Sequence, residues 1–235
     1  MAEEIVIAAG FRGRPDSVNG GYAAGLMADH VPGAVEVTLR RPVPLERPLT
    51  LARNDTGVLR LCDGGDEIAT AEAKPLDLDV PDAPARDAVV AACANGGDFE
   101  EHVFDGCFVC GWKRSVGEGL RVFAGPLPDS KVVAALWRPH AAFADAAGDK
   151  VGARYLWGAL DCPSALAFGP DISMNVVTGR MHGVVTGAIP VEEDCLVIAW
   201  PIGQERRKHY SGAAIIAPDG TVAAKAFNTW IAVRT

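Results

Sequence analysis

The chain has 235 residues, of which 49% are hydrophobic and 22% are charged, so it can bury a sizeable core and is not expected to be disordered throughout. Its net charge of −8 at neutral pH argues against a broad nucleic-acid-binding face. No apolar run approaches the roughly 20 residues of a membrane-spanning helix. Residues 1–4 are acidic and lack the basic and apolar segments of a secretory signal, which predicts a cytoplasmic protein.

The first half of the chain predicts a short strand, one helix and then several antiparallel strands. The short strand covers residues 4–10, and Ser17 is a favourable N-cap for a helix over residues 18–31. Alternation of apolar and polar residues, together with turn residues between the runs, then predicts four strands. These strands cover residues 35–40, 48–54, 58–62 and 67–76.

A change in composition separates the two halves. Residues 77–84 are rich in Asp and Pro, as is typical of a linker. A short helix is expected over residues 85–94, and residues 95–97 should stop it. We therefore predict an N-terminal domain over residues 1–98 and a C-terminal domain, which should carry the functional site, over residues 99–235.

The second half repeats the plan of the first. Two strand patterns, 119–124 and 131–137, precede the strongest helix pattern in the chain, over residues 153–168. Four further strands are predicted over residues 176–189, 195–202, 209–217 and 221–233. A sheet must bury one face, and the single helix of each half is the natural element to cover it. The pattern therefore indicates an α+β fold with an internal repeat, in which two sheets can join and cover two edge strands.

Three stretches carry a resemblance to a known family. Residues 19–26 (NGGYAAGL), with 40–43 (RRPV), resemble an N-terminal domain whose helix opens with a Gly-Gly pair. Residues 107–111 (CFVCG) resemble the lead-in of some single-domain thioesterases of the phenylacetyl-CoA type. Residues 157–161 (WGALD) and 226–231 (AFNTWI) resemble the helix and the last strand of a second domain. The family that these stretches resemble is that of the hotdog acyl-CoA thioesterases in their tandem, double-hotdog form.

The resemblance implies two hotdogs, each a long helix wrapped by an antiparallel sheet, and hydrolysis of an acyl-CoA or a related thioester without a cofactor. A small-molecule acyl-CoA is the expected partner, with no nucleic acid and no membrane. A homo-oligomer is expected because exposed edge strands usually pair. The hotdog fold also hosts other functions. A non-catalytic acyl- or CoA-binding protein therefore stays an alternative, as does an enoyl-thioester hydratase, although the hydratase motif is not present.

Asp161 is predicted to be the catalytic base or nucleophile. It stands among apolar residues in the helix pattern 153–168, where a carboxylate is costly unless it is paired. In the family that the chain resembles, the equivalent helix carries a catalytic Asp, which acts with a Thr and a Gln from later strands. Thr178 and Asn228 fall near those two positions, so we predict both as catalytic partners. The alternative is that Asp161 only caps or solvates the helix, with Pro163 marking a restart.

Several other residues are predicted to bind the substrate or its CoA group. They lie at the start of the first helix, in the strand after the second helix and in a basic turn whose charges suit phosphates. The candidates are Gly20, Gly21, His182, Gly183, Arg206, Arg207 and Lys208. Each group has a structural alternative, which is close packing for the glycines, a satisfied core position for the histidine and a solvated hairpin tip for the basic residues.

The six cysteines are expected to be reduced thiols, most of them buried. Only Cys107 and Cys110 form a C-x-x-C pair, and without a second pair a four-thiolate zinc site is not supported. His102 would raise the number of ligands to three at most. A redox-active C-x-x-C pair is typically followed by a helix, whereas Gly111 and a strand pattern follow this one. We therefore predict a turn whose thiols pack in the interior, and no metal site.

Overall fold

The N-terminal half folds as one helix against antiparallel strands. In the computed structural model, which describes residues 2–94 and 104–233, helix α1 covers Gly20–Ala28. The strands are β1 (Glu3–Val6), β2 (Val35–Leu39), β3 (Pro48–Arg53), β4 (Leu59–Asp63) and β5 (Asp66–Ala73). All the predicted strands of this half are present. The first is shorter than predicted because the chain enters a 3-10 turn at Ala9–Phe11.

Helix α1 begins later than predicted because Asn19, and not Ser17, is its N-cap. The side-chain oxygen of Asn19 accepts the Tyr22 N–H at 2.9 Å, which satisfies one of the unpaired donors at the start of the helix. The carbonyl of Ser17 instead accepts the Gly13 N–H at 2.9 Å and closes the turn that leads into the helix.

The C-terminal half is preceded by helix α2 (Arg86–Ala94), as predicted. Three predicted features lie outside the described residues: the end of this helix at residues 95–97, the possible ligand His102 and the boundary between the domains. The later helices are α3 (Ala153–Ala159), α4 (Cys162–Leu166) and α5 (Pro170–Ser173). The strands are β6 (Gly125–Pro126), β7 (Val133–Trp137), β8 (Val176–Val185), β9 (Cys195–Glu205), β10 (Lys208–Ile216) and β11 (Val222–Ala232).

Two predictions for this half are wrong. Residues 119–124 are not a strand of the sheet, because Leu120 and Val122 donate their N–H groups to the carbonyls of Phe108 and Val109 in the preceding turn. The single helix predicted over 153–168 is divided into α3 and α4. Pro163 has no N–H to give to the preceding turn, so it stands at the start of α4 and not in a helix interior.

The strands form one antiparallel sheet whose order is β1-β3-β4-β5-β2-β8-β11-β10-β9-β7-β6. Strands β2 and β8 pair at the centre, with Val35 opposite Gly183 and Thr38 opposite Arg180. Read outward from this seam, the two halves have the same order, β2-β5-β4-β3-β1 and β8-β11-β10-β9-β7. The predicted internal repeat is therefore confirmed, and joining the halves covers one sheet edge of each.

Helices α1 and α3 pack against each other unusually closely. A Cβ added at Gly21 would lie 2.6 Å from the carbonyl oxygen of Trp157, and one added at Gly25 would lie 2.7 Å from the Cα of Arg154. Only glycine allows two backbones to approach in this way. Arg154 and Asp29 add an ion pair across the same interface, at 2.8 Å. In the described part of the chain, no helix has the length and apolar character needed to cross a membrane.

Candidate active site

Asp161 lies at the junction between α3 and α4 and is only 2% exposed. Its backbone carbonyl accepts the N–H of Ser164 at 2.9 Å and the Ser164 hydroxyl at 2.7 Å. The carboxylate itself makes no capping hydrogen bond to α4. The structure therefore does not support the alternative in which this side chain merely caps or solvates the helix.

The Asp161 carboxylate is held by donors from two other elements. Asn19 Nδ2 donates to Oδ2 at 2.8 Å, and Thr178 Oγ1 donates to Oδ1 at 2.9 Å. The Gly21 N–H at the start of α1 is a third donor. Because Asn19 Oδ1 accepts a hydrogen bond from the Tyr22 N–H, the amide group is fixed with Nδ2 directed at the Asp161 carboxylate. The site is thus built from both halves of the chain and not from the C-terminal half alone.

The buried position changes the acidity of Asp161. Burial is the main cause that raises the pKa of this carboxyl to about 7; nearby Cys107 acts in the same direction, and the donors from Thr178, Gly21 and Asn19 oppose the rise. A carboxyl group that titrates near neutral pH can take up and release a proton under ordinary conditions, which is what general acid–base chemistry requires.

Three cysteines meet beside this carboxylate, and we call them the thiol cluster: Cys107, Cys110 and Cys162. Their sulfurs all lie within 4.8 Å of one another, and the Sγ atoms of Cys107 and Cys162 are 3.7 Å apart. Hydrogen bonds from the Cys110 and Cys162 thiols hold the pKa of Cys107 well below its usual range. The hydrogen bond between Cys107 and Cys162 in turn raises the pKa of Cys162. All six cysteines are free, and three of them, Cys107, Cys110 and Cys195, are buried.

A cavity of about 300 Å³ reaches both the carboxylate and the thiol cluster. Asp161, Thr178 and the three thiols line it, and Asp161, Cys107 and Cys110 are buried. Gly20 also lines it, and a Cβ at that position would lie 2.4 Å from Thr178 Oγ1. Much of the remaining wall is apolar. Three arginines also line it, namely Arg14, Arg40 and Arg41. The cavity therefore combines a buried acid–base group with positive charge nearer the surface.

The predicted partner Asn228 is not among the hydrogen-bond donors to the Asp161 carboxylate. It is fully buried and donates from Nδ2 to the carbonyl of Leu160 at 3.2 Å, and it does not line the cavity. Strand register is the reason, because the residue paired with Thr178 across β8 and β11 is Trp230. Asn228 lies two positions further along and supports the junction between α3 and α4 from the side of the sheet.

Of the predicted binding residues, Gly20 lines this cavity, whereas Gly21, His182, Gly183 and the three basic residues do not. His182 Nε2 is 3.0 Å from the carbonyl of Lys74, and Gly183 makes room for the Trp157 ring. Arg206 and Arg207 form the exposed turn between β9 and β10, and Lys208, also exposed, is the first residue of β10. Sequence reasoning missed Cys162 and the cavity arginines as site residues, although Arg40 and Arg41 belong to the RRPV stretch.

Comparison with known proteins agrees with this architecture. No family model and no curated protein sequence matches the chain. It is similar to the solved structure of a tesB protein from Mycobacterium avium subs paratuberculosis, with 9% identity, a TM-score of 0.63 and coverage of 99% of this chain and 93% of that one. It is also similar to the acyl-CoA thioesterase II TesB2 from Mycobacterium marinum, with 12% identity, a TM-score of 0.60 and coverage of 93% and 90%.

A third solved structure is described by its fold. It is a conserved protein of unknown function with hot dog fold from Alicyclobacillus acidocaldarius, with 12% identity, a TM-score of 0.53 and coverage of 100% of this chain and 94% of that one. The chain therefore has an α+β hotdog fold. With the repeated strand order on either side of the β2–β8 seam, it is a tandem, double-hotdog protein.

Proposed function

We propose that this protein hydrolyses the thioester bond of an acyl-CoA or a related thioester, with Asp161 as the base or nucleophile. The observation that carries the proposal is a buried carboxylate, held by Asn19 and Thr178, at the inner end of a cavity with arginines nearer the surface. Two structures similar to this chain are named as tesB or acyl-CoA thioesterase proteins, which supports the same reaction class.

In this proposal an acyl group enters the apolar part of the cavity and the phosphates of CoA lie near the arginines. Arg14, Arg40 and Arg41 are suited to phosphate because the guanidinium group is always charged and presents several donors. Arg40 and Arg41 each form a surface ion pair with an acidic residue, Glu67 and Asp66 respectively. Such exposed pairs are weak, so exchange of an acid for a phosphate costs little.

The chemical step follows from the contacts of Asp161. Acting as a base, the carboxylate takes a proton from water while the water oxygen bonds to the thioester carbonyl carbon. The C–S bond then breaks, and the proton held by Asp161 returns to the leaving thiolate. Thr178 holds the carboxylate through its hydroxyl and lines the cavity, so its oxygen can accept a hydrogen bond from the water. Gly20, at the N-terminus of α1, offers a backbone donor for the developing oxyanion.

The test is release of free thiol from a panel of short, medium and long acyl-CoAs by the purified chain. We expect turnover, and we expect Asp161→Asn to lower kcat by about 10²–10⁴-fold. Asp29→Asn is the matched control, because Asp29 also lies in the α1–α3 interface but does not line the cavity. It should keep its activity within about threefold, a change of less than 1 kcal/mol in the barrier.

Other results would contradict the proposal. Acyl-CoA binding without any thiol release would indicate a non-catalytic binding protein. Loss of enoyl absorbance without thiol release would indicate a hydratase. Asp161→Asn with wild-type activity would remove the carboxylate from the mechanism. The cytoplasmic location and the homo-oligomer stay predictions, and a sedimentation measurement of the purified chain would test the second.

A further inference from the structure

The thiol cluster has the spacing of a metal-binding site. A zinc ion bound by thiolates at about 2.3 Å in tetrahedral geometry places neighbouring sulfurs about 3.8 Å apart. The Sγ atoms of Cys107 and Cys162 are already 3.7 Å apart, and Cys110 Sγ lies within 4.8 Å of both. A disulfide would instead require a separation of about 2.05 Å. The thiols therefore need only small movements to surround one ion.

The turn that carries two of these cysteines is built around the Cys107 sulfur. The Val109 N–H donates to Cys107 Sγ at 3.4 Å, and Asn19 Nδ2 lies 3.9 Å from the same atom. Backbone and amide donors of this kind orient metal-bound ligands. Gly111 allows the turn to close, because a Cβ there would lie 2.4 Å from the Cys107 carbonyl oxygen. This closure holds Cys110 beside Cys107.

The third thiol comes from a distant part of the chain that is held in place by its own contacts. Cys162 is the first residue of α4, immediately after the junction that Asp161 occupies. Two hydrogen bonds fix this junction, from Asn228 Nδ2 to the Leu160 carbonyl and from the Ser164 hydroxyl to the Asp161 carbonyl. Cys162 Sγ also lies 3.8 Å from Asn19 Nδ2. The three ligands thus project from elements that packing holds together.

We propose that Cys107, Cys110 and Cys162 bind a thiophilic divalent metal ion, Zn²⁺ in particular, in a three-thiolate site whose fourth position opens into the cavity. All three residues line the cavity, which gives the ion a route to them. Three protein ligands with one open position is an arrangement that zinc proteins use. This site goes beyond the proposed thioester hydrolysis, no step of which passes through a metal. It also replaces the expectation, drawn from sequence, that these thiols only pack in the interior.

Cobalt provides a direct readout that does not depend on activity. The full chain is reduced, stripped of metal with a chelator and titrated with Co²⁺ alone. We expect one equivalent to produce thiolate-to-cobalt charge-transfer absorption and the visible bands of tetrahedral cobalt, and we expect Zn²⁺ to remove both. Zn²⁺ should also protect three of the six thiols from a thiol reagent, and the protected residues should be those of the thiol cluster.

Variants make the assignment specific. Cys107→Ser, Cys110→Ser and Cys162→Ser should each weaken Co²⁺ binding at least about tenfold, since each removes one of three thiolate ligands. Cys62→Ser, on strand β4 and away from the cluster, should bind Co²⁺ as the wild type does.

Absence of Co²⁺ bands in the reduced wild-type protein would overturn the proposal, as would protection of other cysteines by Zn²⁺. Because the wild-type measurements decide these outcomes, a serine variant that fails to fold leaves the test intact. Thiol release without metal binding would reject this site alone, and metal binding without thiol release would reject only the proposed hydrolysis.

Discussion

Replacing Gly21 with alanine should push apart the two helices that hold Asp161. The added Cβ would lie 2.5 Å from Asp161 Cβ, 2.6 Å from the Trp157 carbonyl oxygen and 3.0 Å from Gly158 Cα. Two of these three atoms belong to the backbone, and the third is fixed directly to it. None can rotate away as a flexible side chain would, so α1 and α3 must separate by several tenths of an ångström.

Two opposing effects set the size of the change in stability. Alanine is favoured over glycine in a helix by about 1 kcal/mol. Overpacking a closely packed interface costs about 1–3 kcal/mol, and contacts with backbone atoms favour the upper part of this range. We therefore expect Gly21→Ala to lower the free energy of unfolding by a net 1–2 kcal/mol, roughly. For a chain of this length, such a loss lowers Tm by about 2–8 °C.

Gly25→Ala is the matched control, because its added Cβ would lie 2.7 Å from both the Cα and the carbonyl oxygen of Arg154. It separates the same two helices but lies one turn further from the carboxylate. Thermal unfolding should show comparable losses for both variants. The kcat/KM for acyl-CoA should fall by about tenfold or more only for Gly21→Ala, because a displacement of about 1 Å at a catalytic group can cost 10²-fold.

Gly10→Ala provides the baseline, since an added Cβ there meets no atom within 4 Å. Two results would refute the reasoning. One is a Gly21→Ala protein that is as stable as the wild type or more stable, which would mean that helix propensity outweighs the close contact. The other is an equal effect of the Gly21 and Gly25 substitutions on kcat/KM. That result would show that activity does not depend on the placement of the start of α1 beside Asp161.

Further predictions concern the residues around the cavity. Thr178→Val should lower kcat by about tenfold or more while Thr178→Ser retains most of it, because only serine keeps the hydroxyl that donates to Asp161; equal kcat values would exclude a role for this bond. Arg41→Gln should raise KM for acyl-CoA several-fold at low salt and Arg207→Gln should not, since only Arg41 lines the cavity; the reverse order would place CoA at the β9–β10 turn. Asn228→Ala should lower the free energy of unfolding by about 1–3 kcal/mol, because it leaves the buried Leu160 carbonyl without its donor, and unchanged chemical unfolding would contradict this.

Much of the fold could be predicted from local pattern. The alternation of side chains defines strands within a few residues, and the helix-then-sheet order of each half is visible before any contact is known. Asp161 can also be recognised as a candidate site residue from the sequence alone, because a carboxylate among apolar helix residues is costly without a partner. The break between α3 and α4 could have been predicted from Pro163, which favours the first turn of a helix over its interior.

The make-up of the site was decided only by tertiary structure. Asn19 reaches Asp161 because glycines let α1 approach α3, and Cys162 joins Cys107 and Cys110 because the junction before α4 faces their turn. Local sequence patterns do not predict which residues from distant parts of the chain come into contact. Strand register decided the rest, since it places Trp230, and not Asn228, opposite Thr178. A shift of one or two positions in pairing moves a side chain to another face or another neighbour. The sequence by itself therefore determined the repeated architecture and its unusual acid, and packing between the halves determined what that acid touches.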